Sequence, residues 1–416
     1  TRTHDLATGL LNEIGFIENL EIIFSDSPGH GFYQITCVDV KGIEESRIIL
    51  SQNEHFSFIS SVADKIVSIF GNESIISRSS DTMFLILSKV DSGRADHKFD
   101  RFVVDELSKS ISLYAQTLPT NVFIGVNLVA NSKSNFSLGI NHARNAALWA
   151  EAARGDRLVR YEDGMQAELE NRLILISDFG DSLTAGHFEI EYQPIISLGH
   201  IKKMKVEALI RWNHPTRGRV SPDKFIDLLD AGQMIRMTEW VLINAAEHMQ
   251  QWQRNHGIWA EVGINIPSVY LMDILEDLNR LESRIASFSR EHGTFVFEIT
   301  EKSLLLAGDD VLNHLEKLRN QGIGISLDDF GTGYSSIKQL STLPLDYIKI
   351  DKSLIDFIDT SSSSATIVGY IVRLSHELNF KVIAEGIETE QQNDALAWAG
   401  CDFAQGYLFS KPIAAD

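Results

Sequence analysis

Gly324-Ile325-Ser326-Leu327-Asp328-Asp329 is a short apolar run that stops on two acids. Upstream, Phe295 to Ile299 carries Glu298 near its end and Val262 to Ile266 carries Asn265. Downstream, Tyr347 to Ile350 carries Lys349, and Lys381 to Ala384 stops at Glu385. Ile190 to Ile195 and Met204 to Leu209 precede this set and Phe403 to Phe409 follows it. Eight strand-like runs with helical stretches between them, over roughly 230 residues, predict a (β/α)8 barrel; an open doubly wound sheet is the alternative.

In a barrel the C-terminal strand ends meet at one rim, so Glu207, Asn265, Glu298, Asp328, Asp329, Lys349, Glu385 and Gln405 are expected to face one pocket. Taken singly, each acid could equally cap the helix that follows its strand. Taken together, so many carboxylates repel one another unless cations are bound. Hard oxygen donors select Mg²⁺ or Mn²⁺ over zinc, and two adjacent aspartates can let one carboxylate bridge two ions. A two-metal site suits the in-line hydrolysis of a phosphate ester. Lys349 is either an ion-pair partner for the acids or a group that orients the attacking water and stabilises phosphoryl charge. The loop Phe330-Gly331-Thr332-Gly333-Tyr334-Ser335-Ser336 is a weak phosphate-loop signal, equally readable as a tight turn or as a loop that positions the two aspartates.

The 416 residues suffice for two domains, and 44% hydrophobic against 23% charged residues is a globular composition. A net charge of −20 argues against a nucleic-acid polymer or an anionic membrane as partner. Cys37 and Cys401 lie far apart and form no disulfide framework or zinc pattern, which fits a reducing cytoplasm. No apolar run approaches the roughly 18 residues a membrane helix needs, and no signal peptide is evident. The chain opens at Thr1 without methionine, so the expectation is a cytoplasmic portion of a longer, membrane-anchored sensor.

The barrel half resembles an EAL domain, the cyclic di-GMP phosphodiesterase family. The signature reads Glu207-Ala208-Leu209-Ile210-Arg211-Trp212-Asn213-His214-Pro215, and the likeness runs from Tyr192-Gln193-Pro194 to the chain's end. It takes in Asn265, Glu298-Ile299-Thr300-Glu301, Asp328-Asp329-Phe330-Gly331, Lys349-Ile350-Asp351, Ala384-Glu385-Gly386-Ile387-Glu388-Thr389 and Gln405-Gly406-Tyr407. The resemblance implies a variant (β/α)8 barrel that linearises cyclic di-GMP to pGpG with Mg²⁺ or Mn²⁺. It implies metal ligation by Glu207, Asn265, Glu298, Asp328, Asp329 and Glu385, with Glu207 and Glu385 also counted as catalytic. Lys349 would orient water or act as general base, Glu301 would steady the Asp328-Asp329 loop, and Gln193, Arg211 and Gln405 would contact the dinucleotide. Lys205 and Pro267 depart from the pattern, where glycine and serine are usual.

Residues 1–162 read as a second α/β domain, joined through a helical linker at 163–181 to the phosphodiesterase domain at 182–416. They resemble a GGDEF domain, the diguanylate cyclase family, in degenerate form. Thr3-His4-Asp5-Leu6-Ala7-Thr8-Gly9-Leu10-Leu11-Asn12 matches the usual opening, and Asp39 ends a strand where a metal-binding acid belongs. The hairpin, however, reads Ser79-Ser80-Asp81-Thr82-Met83, without the glycines and second acid that let a nucleotide and its metal approach. Arg47, Phe56 and Ala152 stand where nucleotide-binding polar residues are usual, and the inhibitory Arg-x-x-Asp motif is replaced by Phe70-Gly71-Asn72-Glu73. This domain is expected to be catalytically inactive and regulatory, within a homodimer; Asp39 and Asp81 leave weak GTP binding open. The alternative for the whole chain is a cyclic di-GMP receptor without turnover, a class expected to have lost metal ligands.

Overall fold

Segments of alternating or wholly apolar character in the chain's second half pair around a closed ring. The computed structural model describes residues 2–26, 32–71, 73–90, 97–113, 116–118, 120–130, 136–152, 156–199, 203–276, 292–300, 303–304, 311–331 and 340–415. They form two compact units, Thr1–Leu173 and Ile174–Asp416. No helix among them is long and apolar enough to cross a membrane.

The first unit is a sheet with helices on both faces. Its strands are β1 (Phe32–Val40), β2 (Ile75–Arg78), β3 (Met83–Val90), β6 (Val122–Ala130) and β7 (Leu158–Arg160), with a separate short hairpin of β4 (Ile111–Leu113) and β5 (Gln116–Leu118). The order is β2-β3-β1-β6-β7, with β1 antiparallel to both neighbours. Strand alternation sorts the core onto two faces. Ile35, Cys37, Leu85 and Leu87 pack with Phe16 and Leu20 of helix Glu13–Asp26 and Ile140 and Ala143 of helix Phe136–Ala152. Val38, Phe84, Ile86 and Ile124 pack with Phe58, Val62 and Ile66 of helix Gln52–Phe70. That helix starts at a capping box in which Ser51 and Glu54 satisfy each other's backbone donors.

Helix Met165–Thr184 runs across the division between the units, and Leu175 and Phe179 in its second half join the core of the second unit. That unit contains β8 (Phe188–Ser197), β9 (Met204–His214), β10 (Gly218–Val220), β11 (Ala260–Asn265), β12 (Gly293–Thr300), β13 (Gly324–Phe330), β14 (Tyr347–Ile350), β15 (Lys381–Ala384) and β16 (Phe403–Ala404). The ring runs β9-β11-β12-β13-β14-β15-β16-β8 and closes through β8 on β9; β10 adds a hairpin to the end of β9. The expected eight-stranded barrel is present, with two differences. Strand β8 is antiparallel to both β9 and β16, because too few residues separate it from β9 for a helical crossover. Strand β16 ends at Ala404 rather than at Phe409, since the chain turns away at Gln405-Gly406.

Alternation along each strand decides what enters the barrel. Val206, Ala208, Ile210 and Trp212 of β9 face the helices, where Trp212 is fully buried among Phe179, Phe188 and Phe225. Lys205, Glu207 and Leu209 occupy the other face. Inside, Lys205 pairs with Glu261 and lies 3.8 Å from the centre of the Tyr347 ring, filling the N-terminal end of the barrel. A small apolar layer of Ile195, Ile383 and Phe403 comes next. Above it lie the acids.

Candidate active site

The ring strands, or the residues just after them, present functional side chains towards one end of the barrel. Lys349 from β14 is central: it is 1% exposed, and its Nζ lies 2.7 Å from Glu298 of β12, 2.7 Å from Glu385, 3.3 Å from Asp328 of β13 and 3.5 Å from Glu207 of β9. The Asn265 amide donates to Glu207 Oε1 at 2.8 Å, and the Gln405 amide donates to Glu207 Oε2 at 2.6 Å and to Gln193 Oε1 at 3.2 Å. Gln193 in turn donates to the Ser410 carbonyl at 3.1 Å. Strands separated by some 200 residues of sequence are thus tied into one polar network.

Asp328 and Asp329 are neighbours in sequence, and neighbours on a regular strand point to opposite faces. Here Asp329 adopts φ 56°, left-handed, and the β13–β14 register shifts between Leu327 and Phe330. The bulge brings both carboxylates to one side, where single oxygens of Asp328, Asp329 and Glu385 lie within 4.8 Å of one another. Aspartate tolerates the left-handed region better than most residues. Gly263 on β11 is a second fitted position: a Cβ there would collide with Glu298 Oε1.

The electrostatics are those of a site with too many acids for its one ammonium. Burial pushes the Glu298 carboxyl well above its ordinary range, Lys349 opposes this, and Glu207 and Asp328 add to it. Glu385 is pushed up to about 7, by burial first and then by Asp328 and Glu207 against the pull of Lys349. Asp329 is raised by burial and by Asp328. Glu207 goes the other way: burial raises it, but Lys349 and the donated bonds of Gln405 and Asn265 outweigh burial and hold it below the usual range. The Lys349 ammonium is held well above its normal value by the surrounding carboxylates, despite burial. Without further cations, protons must balance the surplus charge. The donors are hard oxygens, so the residues fit Mg²⁺ or Mn²⁺.

A cavity of about 480 Å³ opens on this network; Glu207, Asp328, Lys349, Glu385 and Gln405 form its floor. Lys352, Glu388 and Tyr407 also line it. They lie inside or beside motifs visible in the sequence, but nothing in the strand-end pattern marked them, because they belong to the segments after the strands. Arg211 pairs with Glu191: its Nε donates to Glu191 Oε2 at 2.9 Å, and Glu191 also holds Arg219. Glu301 falls outside the described residues.

Residues 177–412 match the EAL domain family. The cyclic di-GMP phosphodiesterase NbdA of Pseudomonas aeruginosa is 28% identical over 420 residues, which is 99% of this chain and 52% of that protein. The bifunctional diguanylate cyclase/cyclic di-GMP phosphodiesterase MucR of the same species is 34% identical over 62% of this chain and 37% of its own length. The chain therefore spans about half the length, or less, of these curated relatives. Among solved structures, the MucR phosphodiesterase in complex with c-di-GMP aligns with a TM-score of 0.52 at 34% identity, over 58% of this chain and 98% of that one. The EAL enzyme Bd1971 aligns over 93% of each chain with a TM-score of 0.54 at 22% identity, a likeness of fold. With the family's span covering the whole barrel and the acid network at its mouth, this chain belongs to the EAL domain family.

Proposed function

We propose that this chain is a metal-dependent phosphodiesterase that hydrolyses cyclic di-GMP to linear pGpG. One observation carries the reading: four carboxylates from different barrel strands and their ends surround Lys349 at the floor of one cavity, with Asp329 beside Asp328 and Glu385 and the Asn265 amide bonded to Glu207. Glu207, Asn265, Glu298, Asp328, Asp329 and Glu385 would hold Mg²⁺ or Mn²⁺. When bound, the ions supply Lewis-acid charge for activating water and stabilising the attacking and leaving oxygens of an in-line displacement. The reaction exchanges one P–O3′ bond for a P–O bond from water, and leaves a 5′ phosphate.

The chain's own residues then have distinct tasks. Lys349, kept protonated by its neighbours, holds the acids together and orients water or the phosphoryl oxygens; its charge suits that role better than general-base work. Gln405 and Asn265 fix the Glu207 carboxylate in a single orientation. Gln193, Gln405 and Arg211 would contact the dinucleotide, Arg211 after release from Glu191, and Glu301 would steady the loop after Asp329. Residues 1–162 form a degenerate, non-cyclising GGDEF-like domain that acts in regulation through the helical connector, with a cytoplasmic homodimer as the working assembly. The spacing of Asp39 and of the Ser79-Ser80-Asp81-Thr82-Met83 hairpin supports that part.

Chromatography after incubation with cyclic di-GMP and Mg²⁺ or Mn²⁺ tests the reading. pGpG is the expected product, and Lys349→Met should lower kcat far more than it raises KM. Ligand that is bound yet recovered intact would make the chain a receptor.

A further inference from the structure

The first unit holds a second arrangement of acids around an ammonium, at the end of β1. Asp39 is 1% exposed, and Lys41, two residues on, places its Nζ 3.0 Å from Asp39 Oδ2 and 3.0 Å from Glu151 Oε2. We infer that Lys41 is a built-in replacement for a metal ion, closing the Asp39–Glu151 site to divalent cations and so to a metal-bound nucleoside triphosphate. This goes beyond the phosphodiesterase reading and does not depend on it.

Two observations support the assignment. Asp39 Oδ1 is buried with no hydrogen-bond partner, so the Lys41 ammonium supplies the only charge-compensating contact this carboxylate has among the described residues. The lysine's backbone is anchored beside the acids: its N–H donates to the Asn121 carbonyl at 2.9 Å, and it forms the N-cap of helix Gly42–Ile49. An Mg²⁺ ion needs near-octahedral oxygen ligands at about 2.0–2.1 Å, and would have to share the space between these two carboxylates with the Lys41 ammonium. The other acid at the expected nucleotide end, Asp81, is likewise occupied, by Arg47 at 3.1 Å. The residues present do not fit a Mg²⁺–GTP complex.

Two measurements on the full chain test this. In the first, fluorescent N-methylanthraniloyl-GTP is titrated with and without Mn²⁺. The wild type is expected to show no Mn²⁺-dependent binding that Asp39→Asn removes; such binding would overturn the inference. In the second, free Mn²⁺ is counted by electron paramagnetic resonance. Lys41→Met is expected to bind one more Mn²⁺ than the wild type, and the added Asp39→Asn substitution should remove the gain. Equal Mn²⁺ uptake by wild type and Lys41→Met would overturn the claim that the lysine closes the site. Lys41→Gln serves in the same count if the methionine variant does not fold.

Discussion

Glu385 is the residue whose proton reports most directly on the charge balance of the site. Its folded-state value of about 7 lies above the ordinary 4.5, so in the metal-free chain it favours folding below about pH 4.5, and that contribution is lost as pH rises through about 7. Thermal unfolding with chelator present should therefore show the wild type losing stability relative to Glu385→Gln between about pH 5 and 8. Parallel pH profiles for the two would show that Glu385 holds no proton there. The acids themselves were legible in the sequence because each sits within or at the end of a short apolar run. The way Asp328 and Asp329 reach the same side was not. It depends on a left-handed Asp329 and a register shift, and nothing in the run Leu327-Asp328-Asp329-Phe330 distinguishes that backbone from a straight strand. The pairing of Arg211 with Glu191 was also hidden, since it joins residues on two strands whose register only the fold defines.

At the level of elements, the barrel strands were readable because strands buried on both faces appear as short apolar runs. The antiparallel setting of β8 could have been inferred from the short connection to β9, which leaves no room for a crossover helix. The role of Gly263 was invisible: a glycine in a strand is unremarkable until Glu298 on the neighbouring strand is seen to occupy the space of its missing side chain. Gly263→Ala should therefore displace the Glu298 carboxylate while leaving the outward face of β11, Val262 and Ile264, in place. A shift of that kind is expected to cut kcat by about 100-fold. Circular dichroism should remain that of the wild type. Full turnover in a folded Gly263→Ala chain would show that Glu298 can move without consequence.

Across the whole molecule, each unit carries one buried cysteine. Burial pushes both Cys37 and Cys401 up to about 12, so neither thiol should react at neutral pH until its own unit opens. The pair thus reports on the two units separately. The unusual Lys205 offers a perturbation confined to the barrel: burial pulls its ammonium down, and Glu261 provides the opposing charge. Removing one partner of a buried ion pair costs about 3–5 kcal/mol. Glu261→Gln should then speed labelling of Cys401 by about 100-fold or more, with Cys37 as the reference, whereas replacing both partners together, Lys205→Met with Glu261→Leu, should be close to neutral. Unchanged labelling of Cys401 in Glu261→Gln would mean that the barrel does not rely on this pair.

The central claim is that the carboxylates around Lys349 work by holding divalent ions during hydrolysis of cyclic di-GMP. Its most direct test is the rate of pGpG formation by the full chain across a Mn²⁺ titration, for the wild type and for Glu207→Ala. The account predicts no product in excess chelator, a rate that rises to saturation with Mn²⁺, and a loss of several kcal/mol of transition-state stabilisation, about 1000-fold, in Glu207→Ala. Undiminished product in chelator, or wild-type turnover by Glu207→Ala, would contradict it.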